Sequence, residues 1–306
     1  MNKIDKFLKL KKERNAVVLA HYYQEAEIQD LADYLGDSLY LAQAAQKTTA
    51  DVILFCGVHF MAETAKILNP QRIVLVPDME AGCSLADSAE PSAFKAWIDS
   101  HPGSVVISYI NCSAEVKAMS DIICTSANAE RIVASVAQER QILFAPDKYL
   151  GGHVMRKTGR ELVLWDGTCQ VHEAFSEQEL IRTMGEHPQA LVLAHPECPE
   201  HLLGYADYIG STNGILDFAE KCDFTEFIIL TEPGILHPLR KASPDKEFYT
   251  VASLDGCSCN NCPYMKLNTI DKMIAALETL SPSIEMDENL RLRALKPLER
   301  MLELSK

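Results

Sequence analysis

The segment LDGCSCNNCPYMKLN at residues 254–268 sets three cysteines, Cys257, Cys259 and Cys262, within six positions. Thiolates this dense point to metal, and the spacing limits which sites they can complete. A closed zinc site takes four cysteine or histidine ligands, usually as two spaced pairs. Here the next histidine back is His237, twenty residues before Cys257. A bacterial ferredoxin run needs a fourth cysteine and a following proline in a fixed rhythm. Pro263 is present, but the rhythm is not. Taken alone, the segment leaves open a zinc knuckle, a cluster loop, or one corner of a site completed elsewhere.

The rest of the chain supplies partners by repetition. The segments VVLAHYY (17–23), VVISYIN (105–111) and LVLAHPE (191–197) superpose without gaps, displaced by 88 and then 86 positions. The same offsets superpose ADYLGDS (32–38), SDIICTS (120–126) and ADYIGST (206–212). ILFCGVHFM (53–61), ILFAPDKYL (142–150) and IILTEPGIL (228–236) follow at offsets of 89 and 86. Each unit then closes on an apolar run, a turn and a cysteine: Cys83, Cys169, and the group from Cys257 to Cys262. Agreement at four places makes the threefold repeat real.

Each unit reads as alternating strand and helix. VVLAH, VILF and RIVLV are short, apolar and rich in β-branched residues, as buried parallel strands should be. AEIQDLADYLG carries Ile28, Leu31, Ala32 and Leu35 at helical spacing, with Gly36 placed to end the helix. A brief strand, YLGD or YIG, then runs into Ser38 or Ser211–Thr212, and the helices LYLAQAAQ and NGILDFAEK follow. Beyond the third unit, TIDKMIAALETL and NLRLRALKPLERMLEL read as helices punctuated by Pro282 and Pro297. The pattern predicts an α/β protein of three similar three-layer αβα domains, each with a parallel four-stranded sheet, around a pseudo-threefold axis. The expected boundaries are 1–88, 89–174 and 175–265, with a C-terminal helical tail over 266–306.

Bulk properties exclude several function classes. A net charge of −14, from 29 basic and 43 acidic side chains, opposes a sequence-independent grip on nucleic acid or on an anionic membrane. A small anion needs only a local cluster of donors and stays open. The N-terminal MNKIDKFLKLKKERNAVV is charged and amphipathic, without the apolar core of a signal peptide, and no apolar run is long enough to span a bilayer. A cytoplasmic protein is expected, with its ten cysteines reduced.

Ligands of open parallel sheets bind beyond the carboxyl ends of the strands. The residues that break the apolar pattern stand there in every unit. They are His21 and Tyr23, Tyr109 and Asn111, and His195 and Glu197 after the first strands, and Ser38, Ser126 and Thr212 after the second. Cys83, Cys169 and the Cys257–Cys262 group follow the fourth. Three thiolates converging from three domains suit a cubane iron–sulfur cluster with one iron free of protein ligands, and an open iron is a Lewis acid. A hydroxyl at a helix start, with the backbone N–H groups beside it, receives phosphate or carboxylate. His21 and His195 can donate to anions or exchange protons near neutral pH. Tyr23 and Glu197 are candidate proton carriers if burial shifts their pKa values toward the working pH. An isolated serine of this kind is more often a plain helix cap, and an isolated cysteine a small core hydrophobe. That plainer role is assigned to Cys56, Cys112, Cys124, Cys198 and Cys222, and packing to Phe60 and Met61, with a pocket wall as their alternative. Recurrence at matching positions favours function for the rest.

In order along the chain, LAHYYQ, LADYLGDSL, ISYINCSAEVKA, WDGTCQVHEAF, AHPEC, IGSTNG, TEPGILHPL and CPYMKLNT resemble the quinolinate synthase family over nearly the whole length. The resemblance implies three α/β domains around an oxygen-sensitive [4Fe–4S] cluster held by three cysteines. It implies condensation of iminoaspartate with dihydroxyacetone phosphate to quinolinate, releasing phosphate and two waters, in de novo NAD synthesis. Iminoaspartate would come from L-aspartate oxidase or aspartate dehydrogenase. His21, Ser38, Tyr109, Asn111, Ser126, His195, Glu197 and Thr212, with Ser211, match the family's substrate-binding positions. Tyr23 and Glu197 match its proton-transfer residues, with His21 beside them in the catalytic set. His172 matches a position near the cluster, and Cys83 and Cys169 match two cluster ligands.

For the third ligand the two lines of reasoning diverge. Repeat arithmetic favours Cys257, 88 residues after Cys169. The resemblance aligns Cys262, whose Pro-Tyr-Met continuation leads to Asn268. Cys262 is chosen, on the expectation that a helix begins just beyond it, fixes it and lowers its pKa. Cys257 and Cys259 then become spare thiols able to form a redox-responsive pair with Cys262. Two rival functions stay open: an aconitase-like iron–sulfur hydro-lyase, and a non-catalytic redox sensor whose cluster only stabilises the threefold interface.

Overall fold

The computed structural model describes residues 2–253 and 260–306, so Cys257 and Cys259 lie outside the described residues. Each apolar run becomes a strand of one of three four-stranded sheets. The first holds β1 (Ala16–His21), β2 (Tyr34–Gly36), β3 (Val52–Cys56) and β4 (Ile73–Leu75). The second holds β5 (Val105–Tyr109), β6 (Ile122–Cys124), β7 (Ile142–Ala145) and β8 (Val163–Leu164). The third holds β9 (Leu191–Ala194), β10 (Tyr208–Ile209), β11 (Glu226–Leu230) and β12 (Glu247–Thr250). In each sheet the second strand lies outside the first, followed by the third and fourth, and every pairing is parallel. Helices cover both faces, as the α/β pattern requires.

One aspartate per unit sets the register of the edge strand. Asp33, Asp121 and Asp207 stand just before β2, β6 and β10. Their carboxylates accept the N–H of Val18, Val106 and Val192, each at 2.8 Å. Their own N–H groups donate back to the carbonyls of the same three valines at 2.9 Å. This clasp corrects the helix expected to run to Gly36. The helix spans only Ala26–Gln29, while Tyr34–Gly36 is the brief strand expected there, held in pairing with β1 by Asp33. Ile28, Leu31, Ala32 and Leu35 still share one apolar cluster, so the spacing reported burial correctly and conformation only in part. Gly36 serves close packing: a Cβ there would fall 2.3 Å from a ring carbon of Tyr40.

The tail joins the first two sheets. The helix Ile270–Thr279 packs with the N-terminal helix Lys3–Glu13, whose Arg14 cap donates to the Leu277 carbonyl at 2.9 Å. The helix Glu288–Leu304 runs through Pro297 without ending there. Its Arg291 donates to the carbonyl of Ile67, and Asn128 donates to Ser305 just beyond its end. Ala294, Leu298 and Met301 enter one apolar cluster with side chains of the first and second sheets. No helix among the described residues is long and apolar enough to cross a membrane.

Candidate active site

Beyond the carboxyl ends of all three sheets lies one buried cavity. His21, Tyr23, Ser38, Tyr109, Asn111, Ser126, His195, Glu197 and Thr212 line it, together with His172, Cys83, Cys169 and Cys262. Phe60 and Met61 complete a wall. Ser211 is the exception among the sequence candidates. It caps the helix Thr212–Lys221 through the Gly214 N–H at 3.1 Å and also bonds to Asp37, outside the cavity lining.

The polar groups form a connected chain. Tyr109 donates to Glu197 Oε1 at 2.5 Å, and Glu197 Oε2 lies 2.8 Å from His172 Nδ1. His172 Nε2 stands 2.9 Å from Thr231 Oγ1, which stands 2.7 Å from the Tyr23 hydroxyl. The two candidate proton carriers, Tyr23 and Glu197, are thus linked through two further side chains. On the other side of Glu197, His195 Nε2 is 3.2 Å from Ser126 Oγ. Asn111 Oδ1 is buried without a protein donor, which marks it as an acceptor aimed at a ligand.

Burial dominates the electrostatics. It lowers the pKa of His21 to about 3 and of His195 to about 3, so both imidazoles are neutral near pH 7, which corrects the expectation that they exchange protons there. Tyr23 and Tyr109 are pushed well above the usual phenol range by burial and by the nearby Glu197. Burial also works against the Glu197 carboxylate. The imidazoles of His172 and His195, with bonds from His172 and Tyr109, outweigh it and hold that carboxyl below its usual range. In the metal-free protein Tyr23 and Glu197 are thus both shifted away from neutral pH and not toward it as expected.

The cysteines fit a shared cluster by chemistry and by position. Cys83 caps the helix Ser84–Ser88 and Cys169 the helix Gln170–Glu173, each beyond the fourth strand of its sheet. Cys262 enters the same cavity from beyond β12. All three are free thiols, and charge on one is felt by the next, Cys262 by Cys83 and Cys83 by Cys169. Soft thiolates converging in a buried pocket suit iron–sulfur ligation. The expected thiolate at Cys262 is corrected. Only a 3₁₀ turn, Met265–Leu267, follows it, and burial raises its pKa despite bonds from the Met265 and Tyr264 backbone. Cys83 is likewise raised to about 12 by burial. The metal-free thiols are therefore protonated, and binding must release their protons. Donor atoms of Cys169, His172 and Glu197 also lie within 4.8 Å of one another, although His172 and Glu197 already satisfy each other. Cys56, Cys112, Cys124 and Cys198 are buried in the core, and Cys222 is half-buried.

Two polar lining residues, Asp37 and Glu232, and Thr231 behind the cavity wall were not singled out from the sequence. Asp37 caps the helix Ser38–Lys47, Thr231 sits in the hydrogen-bonded chain, and Glu232 lies fully buried beside Cys262. Thr231 and Glu232 follow β11, a third-strand end, whereas attention to first, second and fourth strands passed over them. The available signal was a Thr-Glu pair, Thr231 and Glu232, directly after the apolar run FIIL.

A family profile described as "NadA: Quinolinate synthetase A protein" matches residues 5–303. A protein named "Quinolinate synthase" from Chloroherpeton thalassium is 59% identical over 299 residues, covering 97% of this chain and 93% of its own. One of the same name from Nostoc punctiforme is 56% identical, covering 97% and 91%. Another from Prochlorococcus marinus (strain MIT 9303) is 57% identical, covering 96% and 89%.

Proposed function

We propose that this chain, an enzyme that belongs to the quinolinate synthetase A family, condenses iminoaspartate with dihydroxyacetone phosphate to give quinolinate, phosphate and two waters. The observation that carries the reading is one cavity lined by three cysteines and by the chain from Tyr23 to Glu197. Cys83, Cys169 and Cys262 would hold a [4Fe–4S] cluster. When bound, it supplies Lewis acidity at an iron free of protein ligands.

The protein groups do the binding and the proton work. Ser38 and Thr212 are the first residues of ten-residue helices. Asp37 and Ser211 already take the N–H groups of Leu39, Tyr40, Asn213 and Gly214. The hydroxyls of Ser38 and Thr212, with the helix dipole behind them, are therefore what would receive carboxylate and phosphate. Ser126, His195 and Asn111 add neutral polar contacts. His195 is uncharged, so it orients anions through its N–H rather than by full charge. Glu197 takes protons from the condensing carbons, and Tyr23 delivers them to departing oxygen. Thr231 and His172 connect the two, so that a proton gained at one end can be given up at the other. The apolar wall of Phe60 and Met61 limits water beside these groups.

Iminoaspartate would come from an oxidase or dehydrogenase acting on aspartate, in the cytoplasm. The test is anaerobic assay of cluster-loaded protein with both substrates. Quinolinate and phosphate in equal amounts, and neither product without dihydroxyacetone phosphate, is the expected outcome. Turnover of a hydroxy acid alone would favour the hydro-lyase. A loaded protein whose cluster spectrum ignores every small acid would favour the redox sensor.

A further inference from the structure

The carboxylate of Glu232 is fully buried on the loop that leaves β11, and each of its oxygens is engaged. Oε2 accepts the Gly234 N–H at 2.6 Å, and Oε1 accepts the Cys262 N–H at 3.2 Å. Lys266 Nζ stands 3.1 Å from Oε1 and also donates to the Tyr23 carbonyl at 2.9 Å. One ion pair therefore touches the backbone of a proposed cluster ligand and of a proposed proton carrier. The surrounding seam is tight. A Cβ on Gly234 would fall 2.6 Å from the Tyr22 carbonyl oxygen and 2.8 Å from Tyr23 Cα. Gln29 Nε2 adds bonds to the carbonyls of Tyr22, Gln24 and Gly234.

We propose that Glu232 and Lys266 are positioning residues that fix Cys262 and Tyr23 as one unit. A buried ion pair is poor cement, since desolvation offsets most of its attraction. What this pair supplies is aim. The amide of Cys262 cannot rotate without leaving Glu232, and Tyr23 cannot shift without leaving Lys266. The inference rests on the cluster assigned above to Cys83, Cys169 and Cys262.

The experiment uses the full chain, purified and reconstituted without oxygen, as wild type, Glu232→Gln, Lys266→Met and Lys266→Arg. Gly234 and Cys262 donate to different carboxylate oxygens, and glutamine replaces one of these with an NH2 donor that cannot accept. Iron per chain and the rate of iron transfer to a colorimetric chelator are measured, beside the thermal midpoint of each apo-protein. Groups that orient metal ligands commonly change affinity about 10–100-fold. Glu232→Gln and Lys266→Met are expected to release iron faster by about that factor, with Lys266→Arg close to wild type. Lys266→Met leaves the buried Glu232 carboxylate unpaired and lowers its apo midpoint. The double variant Glu232→Gln/Lys266→Met, which removes both charges, is therefore measured beside it and is expected to release iron as fast from a midpoint nearer wild type. Wild-type release from Lys266→Met overturns the proposal. So does acceleration that Lys266→Arg does not reverse, or one that disappears in the double variant as its apo midpoint recovers. If Glu232→Gln fails to fold, the two lysine variants decide alone. A wild-type chain that takes up no cluster overturns the functional reading itself; a fully loaded wild type with unaltered variants overturns only this inference.

Discussion

Tyr109 donates to Glu197 at 2.5 Å, binding the end of β5 to the loop after β9 in the middle of the cavity. A hydrogen bond to a charged group is worth about 1.5–3 kcal/mol, or about 10- to 100-fold. Tyr109→Phe should lower kcat/KM by that factor and leave cluster content unchanged. Wild-type kinetics in the loaded variant would show that Glu197 does not depend on this donor.

Tyr23→Phe removes one hydroxyl from the chain to Thr231 and almost no volume. Acid–base groups typically contribute about 10²–10⁴-fold, and a loss of turnover in that range is expected with iron content preserved. Near-normal turnover would remove Tyr23 from the list of proton carriers.

Ser126→Ala separates binding from capping. The helix Ala129–Ala134 has Asn128 at its cap position, and Ser126 faces His195 instead. Stability should fall by about 1 kcal/mol or less, while affinity for a dicarboxylate product falls about tenfold or more. Lower stability with unchanged affinity would assign the serine to the fold.

The depressed pKa values of His21 and His195 give a signed pH dependence. Both are ordinarily near 6.5 and lie at about 3 when folded, so the unfolded chain binds more protons between those values. Their contribution to stability is lost as pH falls through that window, by at most about 1.4 kcal/mol per pH unit for each. Imidazole carbon shifts in isotopically labelled apo-protein should show neither ring titrating between about pH 5 and about pH 8. A midpoint for either ring in that range would refute the burial argument.

Cys262→Ser should abolish cluster absorption after anaerobic reconstitution, while Cys257→Ser and Cys259→Ser retain it. Cys262 lines the cavity beside Cys83 and Cys169. The reverse pattern would show that repeat arithmetic was the better guide.

The repeat made most of this site readable, because His21, Tyr109 and His195 occupy equivalent places, as do Tyr23, Asn111 and Glu197. Position at a strand end is local and survives folding unchanged. Contacts between units are not local. Nothing in SLDGCSCNNC says that Glu232 will meet the Cys262 amide, whereas the repeat, by aligning Thr212 with Ser38 and Ser126, already set Ser211 apart as the residue outside the cavity. The misread helix before β2 has the same origin. Its apolar spacing fits burial under either conformation, and the choice is made by Val18, fifteen residues earlier.

Cys83, Cys169 and Cys262 follow the fourth strands of three different sheets, and Tyr23, Tyr109 and Glu197 follow or end three different first strands. The cavity is thus an intersection that no sheet possesses. A small rigid rotation of one part could leave every strand pair and apolar face intact, yet part groups that must stay within about 3 Å to exchange a proton. Failure of function and failure of fold are separate hazards for this chain. A single methyl group added at Gly234, on the seam with Tyr22 and Tyr23, would strike the first without needing the second.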